Sequence, residues 1–306
     1  MTTVTRRMDS TDWIILAALS LMWGCSFYFL AIQLTALPAF TAVLLRVGLA
    51  ALLLLGWAAA RGIRLPGPRL WLPFMVLALL NNVIPFALYG FAQQTIASGL
   101  AGILNATTPL WGVVVAHLFT RDERASGGKV AGVLLGFAGV AAMTGPGVLT
   151  GLGDDVLAQL ACLLATLCYA LAAIWSRRFV DAGVTPLGVA TGQLTAATAI
   201  MLPLALIADR PWTLPMPGWE ILAATAGMVL VATVFAYVLF FRLVERAGAS
   251  NSLLVTFTIP IVAVLLGVLL LGETLAPGHL VGMALIALGL TAIDGRPWQR
   301  LTGRLP

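Results

Sequence analysis

Long apolar runs constrain this chain more than any other feature. Residues 14–21, 50–57 and 260–271 hold no ionisable side chain and show no alternation of apolar and polar positions. A membrane barrel strand alternates over about ten residues, whereas a spanning helix needs about 20 mostly apolar ones. The runs therefore predict spanning helices. Of the 306 residues, 60% are hydrophobic and only 9% are charged, against about a quarter charged in ordinary globular chains. So few charges cannot cover a water-soluble surface. Soluble enzymes, nucleic-acid binders and secreted disulfide scaffolds are excluded as starting points, and the chain reads as an all-α integral membrane protein. Cys25, Cys162 and Cys168 fall inside apolar spans, as small packing residues do.

Charge clusters, prolines and glycines punctuate the sequence into ten expected transmembrane helices. They cover about 13–33, 40–60, 70–91, 95–119, 127–146, 155–176, 184–208, 217–242, 247–271 and 276–294. The positive-inside rule tests this count. Of 17 basic residues, 15 fall on one side: Arg6, Arg7, Arg61, Arg64, Arg69, Arg121, Arg124, Lys129, Arg177, Arg178, Arg242, Arg246, Arg296, Arg300 and Arg304. Only Arg210 falls on the other, and Arg46 lies within a span. A missed or extra helix would scramble this bias, so both termini are expected in the cytoplasm and the chain in the inner membrane. Arg6 and Arg7 before an apolar run resemble the start of a signal peptide. The run continues through Trp23, Phe27 and Phe29 without a small-residue cleavage site, which predicts a retained first helix. Arg296, Arg300 and Arg304 recur every fourth residue and would suit a tail helix on anionic lipid.

The two halves echo each other. Thr107-x-Pro109 precedes Glu123, Gly132 and Gly139, and Thr258-x-Pro260 precedes Glu273, Gly282 and Gly289, with matching glutamate-to-glycine spacings. The expected organisation is a five-helix repeat over 1–150, a second over 151–294, and a cytoplasmic tail over 295–306. Five is odd, so the second repeat must enter the membrane from the opposite side. Inverted repeats around a midplane site recur in secondary transporters.

With Trp23-Gly24 in the first helix, Pro38 and Arg46 in the second, and the Pro-to-Glu-to-Gly runs late in each half, the chain resembles the EamA family of the drug/metabolite transporter superfamily, over residues 12 to 294. It looks most like the YddG-type amino-acid exporters. The resemblance implies a helical basket around a central cavity and export of amino acids or related small metabolites, with drugs or other hydrophobic metabolites as the alternative cargo.

Polar groups inside a bilayer are costly and are usually paired or turned to a cavity. Arg46 is the ionisable residue deepest in a span, and two roles stay open: a partner for a substrate carboxylate, or a structural pin. The matching region of the second half has Gln193. Helices three and four supply Asn81, Asn82, Tyr89 and Asn105; helices eight and nine supply Tyr237, Thr256 and Thr258. Trp23 and Tyr169 lie mid-span, where an indole N–H or a phenol O–H needs a partner. Pro85, Pro109 and Pro260 are expected to kink their helices and free backbone carbonyls. These residues either line the cavity or merely shape the packing. The glycines of helices five and ten fit either a seam between the two or a dimer contact, so a monomer or a weak homodimer is expected.

All 12 acidic residues sit at span ends or in loops, unlike a proton-coupled antiporter of lipophilic cations, which needs a mid-membrane carboxylate. The sequence offers no Walker spacing, nucleophile triad or metal-ligand cluster. It predicts no enzyme activity, cofactor or metal, and facilitated movement of a small solute is the default reading.

Overall fold

The structure is a computed structural model that describes residues 8–62, 67–119, 126–144, 154–252 and 254–294. The expected helix end at 145–146, Glu123, and the basic residues of the tail lie outside the described residues.

Helix α1 (Ser10–Gln33) starts before the expected position because Asp9 and Asp12 form a capping box. Asp12 donates its backbone N–H to the Asp9 carboxylate at 2.9 Å, and Asp9 donates its own to Asp12 at 3.1 Å. Arg246 then pairs with both acids, at 2.7 Å to Asp12 and 2.9 Å to Asp9. The N–H of Asp12, followed by the nearby Arg246 charge, holds the Asp9 carboxyl below its usual range. A lowered folded-state value stabilises the fold above the ordinary carboxylate pKa and is lost as pH falls through the lowered one. Asp9→Asn should therefore melt below the wild type at neutral pH in detergent, and the two curves should converge on acidification. A gap that persists at the acid end would refute the contribution of the Asp9 charge.

Helices α2 (Ala39–Ala60), α6 (Asp154–Asp181) and α7 (Pro186–Ala208) are continuous. Helices α3 (Pro68–Ala92) and α8 (Trp219–Ala247) each contain a wide π turn, at Leu79–Val83 and Leu230–Phe235. Helix α8 runs past the expected 242 until Gly248, whose φ of 86° stops it. Helix α4 (Ser98–Phe119) breaks after Asn105 and restarts at Thr108-Pro109. Helices α5 (Gly127–Thr144), α9 (Val255–Leu271) and α10 (Pro277–Asp294) complete the order. The first turn expected for α9 is a separate one at Ala249–Ser252. Among the described residues, seven helices (α1–α4, α6–α8) are long and apolar enough to cross a bilayer, and α5, α9 and α10 are shorter apolar helices. No strand occurs among them. Side chains such as Leu72, Ile207 and Leu269 stay about three-quarters exposed, as an outer face in lipid requires.

The two π turns are separated along the chain by the same number of residues as Pro109 and Pro260. The repeat therefore extends from motif to backbone irregularity. Helices α5 and α10 lie against each other through glycine. A Cβ on Gly289 would sit 2.5 Å from the Gly132 carbonyl oxygen, and one on Gly139 would sit 2.7 Å from that of Gly282. This seam lies within one chain.

Two further contacts tie the halves together at helix starts. Thr41, in the first turn of α2, donates its N–H and its hydroxyl to Asp209, just past α7, at 2.6 and 2.8 Å. At the start of α4, Ser98 and Gly99 donate their N–H groups to Glu273, just past α9, at 2.6 and 2.9 Å. Gly272, at φ 65°, turns the chain so that Glu273 folds back over Gly267.

Candidate substrate cavity

A cavity of about 290 Å³ lies among α1–α4, α6, α8 and α9. Much of its wall is built from positions that correspond in the two halves at the spacing of the π turns. Phe86 corresponds to Tyr237, Tyr89 to Phe240, Asn105 to Thr256, Thr108 to Ile259 and Asn81 to Ala232, and all ten line it. The chemistry of the pairs differs. The first half supplies Asn81, Tyr89, Asn105 and Thr108 where the second has Ala232, Phe240, Thr256 and Ile259; the Phe86–Tyr237 pair reverses the pattern. At these corresponding positions the first half is the more polar.

Arg46 of α2 lines this space half-buried. Its Nε donates to the Thr233 hydroxyl at 3.2 Å, and its guanidinium carbon lies 3.8 Å from the centroid of the Phe86 ring. Thr233 sits in the π turn of α8 and gives its own hydroxyl proton to the Met228 carbonyl at 2.8 Å. A lone pair is therefore what remains to accept from Arg46. The arginine is held at one nitrogen and on one face, with no described residue bonded to its terminal amino groups.

Around it the tyrosines are fixed by amides. Tyr89 donates to Asn105 at 3.0 Å and stacks at 6.4 Å on Tyr169. Gln193 joins two lining residues from behind: Asn81 donates to its carbonyl at 2.9 Å, and its amide donates to Tyr237 at 3.2 Å. Trp23 packs on Phe240 with ring centroids 5.3 Å apart.

Of the residues singled out from sequence, the structure gathers Trp23, Arg46, Asn81, Tyr89, Asn105, Tyr169, Tyr237 and Thr256 on the cavity wall. Gln193, Asn82 and Thr258 are not on it. Asn82 is fully buried, points towards Tyr237 and completes no hydrogen bond of regular geometry. Thr258 bonds to Ser20 and back to the Val255 carbonyl. Pro85 follows the π turn of α3, Pro109 opens the second segment of α4, and Pro260 lies within α9. Pro109 cannot donate to the Asn105 carbonyl; the Thr108 hydroxyl does so instead, at 2.8 Å.

Sequence reasoning passed over Gln93, Phe86 and Phe240. Gln93 lines the cavity with both amide atoms buried and unbonded. Its position at the end of α3 reads as a loop residue from sequence, and the helical spacing from Phe86 through Tyr89 to Gln93 is the signal that finds it.

The model of the EamA-like transporter family matches twice, over residues 11–145 and 156–293. An inner membrane transporter of Escherichia coli K12, YedA, is 24% identical over 91% of this chain and 89% of its own. A transporter of Archaeoglobus fulgidus is 28% identical over 83% of this chain and 87% of its own. The PecM protein of Dickeya dadantii is 26% identical, covering 89% of each chain. One solved crystal structure shares the fold, with a TM-score of 0.64 over 94% of this chain and 98% of that one, at 22% identity. With both halves matched by the family model, the chain belongs to the EamA-like transporter family.

Proposed function

We propose that this protein is an inner-membrane exporter of amino acids or related small metabolites, working by alternating access. The observation that carries this reading is the central cavity whose walls come from corresponding positions of both halves. Two halves in inverted orientation, over 1–150 and 151–294, would open such a cavity to one side and then the other as they exchange conformations. Ten spans with both termini in the cytoplasm fit the distribution of arginines. No described acid lines the cavity, which favours facilitated over proton-coupled movement.

The test is flux of a labelled panel of amino acids, organic acids and hydrophobic drugs into liposomes holding the purified protein, with and without a proton gradient. Saturable flux of the small metabolites, unchanged by the gradient, is expected. Flux confined to drugs and driven by the gradient would replace this reading with that of a drug exporter. Absence of flux across the panel would remove the transport assignment for these solutes.

Gln193 supplies a second check. Gln193→Leu removes the group that orders Asn81 and Tyr237, at about 1–2 kcal/mol. The half-saturating concentration should rise about tenfold while the melting curve stays within a few degrees of wild type. Unchanged affinity would show that the amide does not order the wall.

A further inference from the structure

We propose that the cavity selects a monocarboxylate with a flat apolar body over the zwitterion built on the same skeleton, with Arg46 receiving the carboxylate. This rests on the reading of the cavity as the substrate site, and within the cargo proposed above it ranks monocarboxylates among the small metabolites ahead of the amino acids.

Arg46 stays charged at any physiological pH. Its Nε is taken by Thr233 and one guanidinium face by Phe86. The terminal amino groups are the part left to a ligand, in the fork that suits a carboxylate. Charge of one sign only is therefore on offer. An incoming ammonium would meet Arg46 without a carboxylate from any described lining residue to offset it.

Several backbone carbonyls near the cavity, the other natural partners of an ammonium, already accept a side-chain hydroxyl. Thr107 donates to Leu104 at 2.7 Å and Thr108 to Asn105 at 2.8 Å. On α9 Thr258 donates to Val255 at 3.0 Å, and on α1 Ser26 donates to Trp23 at 2.6 Å. The rest of the wall suits a ring: the stacked Tyr89 and Tyr169 and the paired Trp23 and Phe240 offer flat faces. An ammonium would find the unbonded Gln93 amide oxygen, a neutral acceptor, together with the repelling charge of Arg46; that repays less of its lost hydration than the guanidinium repays a carboxylate with an aryl or similar body.

Calorimetric binding to the purified full-length protein in detergent at pH 7 tests this with three probes sharing a phenylpropyl skeleton: 3-phenylpropanoate, phenylalanine and 3-phenylpropanamide. Wild-type protein should bind the propanoate at least tenfold more tightly than either of the others. Arg46→Gln should bring the propanoate down to the level of the amide, and Arg46→Lys should keep part of the preference. Phenylalanine bound as tightly as the propanoate, or an Arg46→Gln protein that keeps the preference, would overturn the proposal. So would an absence of binding by all three, while the broader flux panel would still decide whether the protein transports. Should Arg46→Gln fail to fold, the wild-type ranking and the Arg46→Lys protein decide the matter alone.

Discussion

Glu273→Ala should unfold several degrees below wild type in detergent, one of the largest losses expected from any single change outside the apolar core. The carboxylate accepts the backbone N–H groups of Ser98 and Gly99 at 2.6 and 2.9 Å. Both donors are buried, and the first turn of a helix has no partners of its own for them. Hydrogen bonds to a charged group contribute about 1.5–3 kcal/mol each. Glu273 itself is partly exposed, so water recovers part of that and a loss of about 2–4 kcal/mol is expected. Glu273→Gln keeps one acceptor and should fall between. Asp209→Asn removes charge from the corresponding tie to Thr41, and its effect should add to that of Glu273→Ala because the two sites share no partner. Glu220→Gln, at an exposed acid in the first turn of α8, is the control. A Glu273→Ala protein that melts with wild type would show that the tie contributes nothing to holding the halves.

Gly289→Val should yield almost no monodisperse protein. Its Cβ would meet the Gly132 carbonyl oxygen at 2.5 Å, the Gly136 nitrogen at 2.8 Å and the Gly136 Cα at 3.1 Å. All three are backbone atoms of α5, so no rotamer change relieves the clash and the helices must separate. Overpacking that side chains can absorb costs about 1–3 kcal/mol; this change exceeds that range. Gly128→Ala, whose Cβ would lie 3.8 Å from the Ala292 oxygen, should be tolerated. Size-exclusion profiles of the three proteins make the comparison. A normal peak for Gly289→Val would mean that the two helices do not meet at this seam.

Much of the fold is legible in the sequence because lipid imposes a simple code: apolar runs of fixed length, with charges, Arg46 apart, at their ends. Helix ends are less legible, since they depend on partners elsewhere. Asp9 and Asp12 advertise the start of α1 locally, whereas nothing near Ser98 announces that Glu273 will cap it. The site was partly legible for a similar reason. Asn81 and Tyr237 stand out as polar groups in apolar sequence, and both reach the cavity. Asn82 stands out equally, yet neighbouring residues on a helix point about 100° apart. Only one of the two asparagines can face the cavity, and composition cannot say which. Gln193 illustrates the complementary limit: its role is to hold two lining residues from behind, which is a property of the contact and not of the residue.

The wide turns at Leu79–Val83 and Leu230–Phe235 set the angular phase of the two helices that carry them. A π turn accommodates one residue more than an α turn, so everything beyond it is rotated relative to an uninterrupted helix by about the angle of one residue, 100°. Asn81 lies within the first of these turns; Phe86, Tyr89 and Gln93 follow it. Deleting a single residue from the turn would leave the sequence beyond it untouched and yet swing those three side chains off the cavity wall. Natural variation in chain length can be absorbed in the loops between helices, but not at these two places.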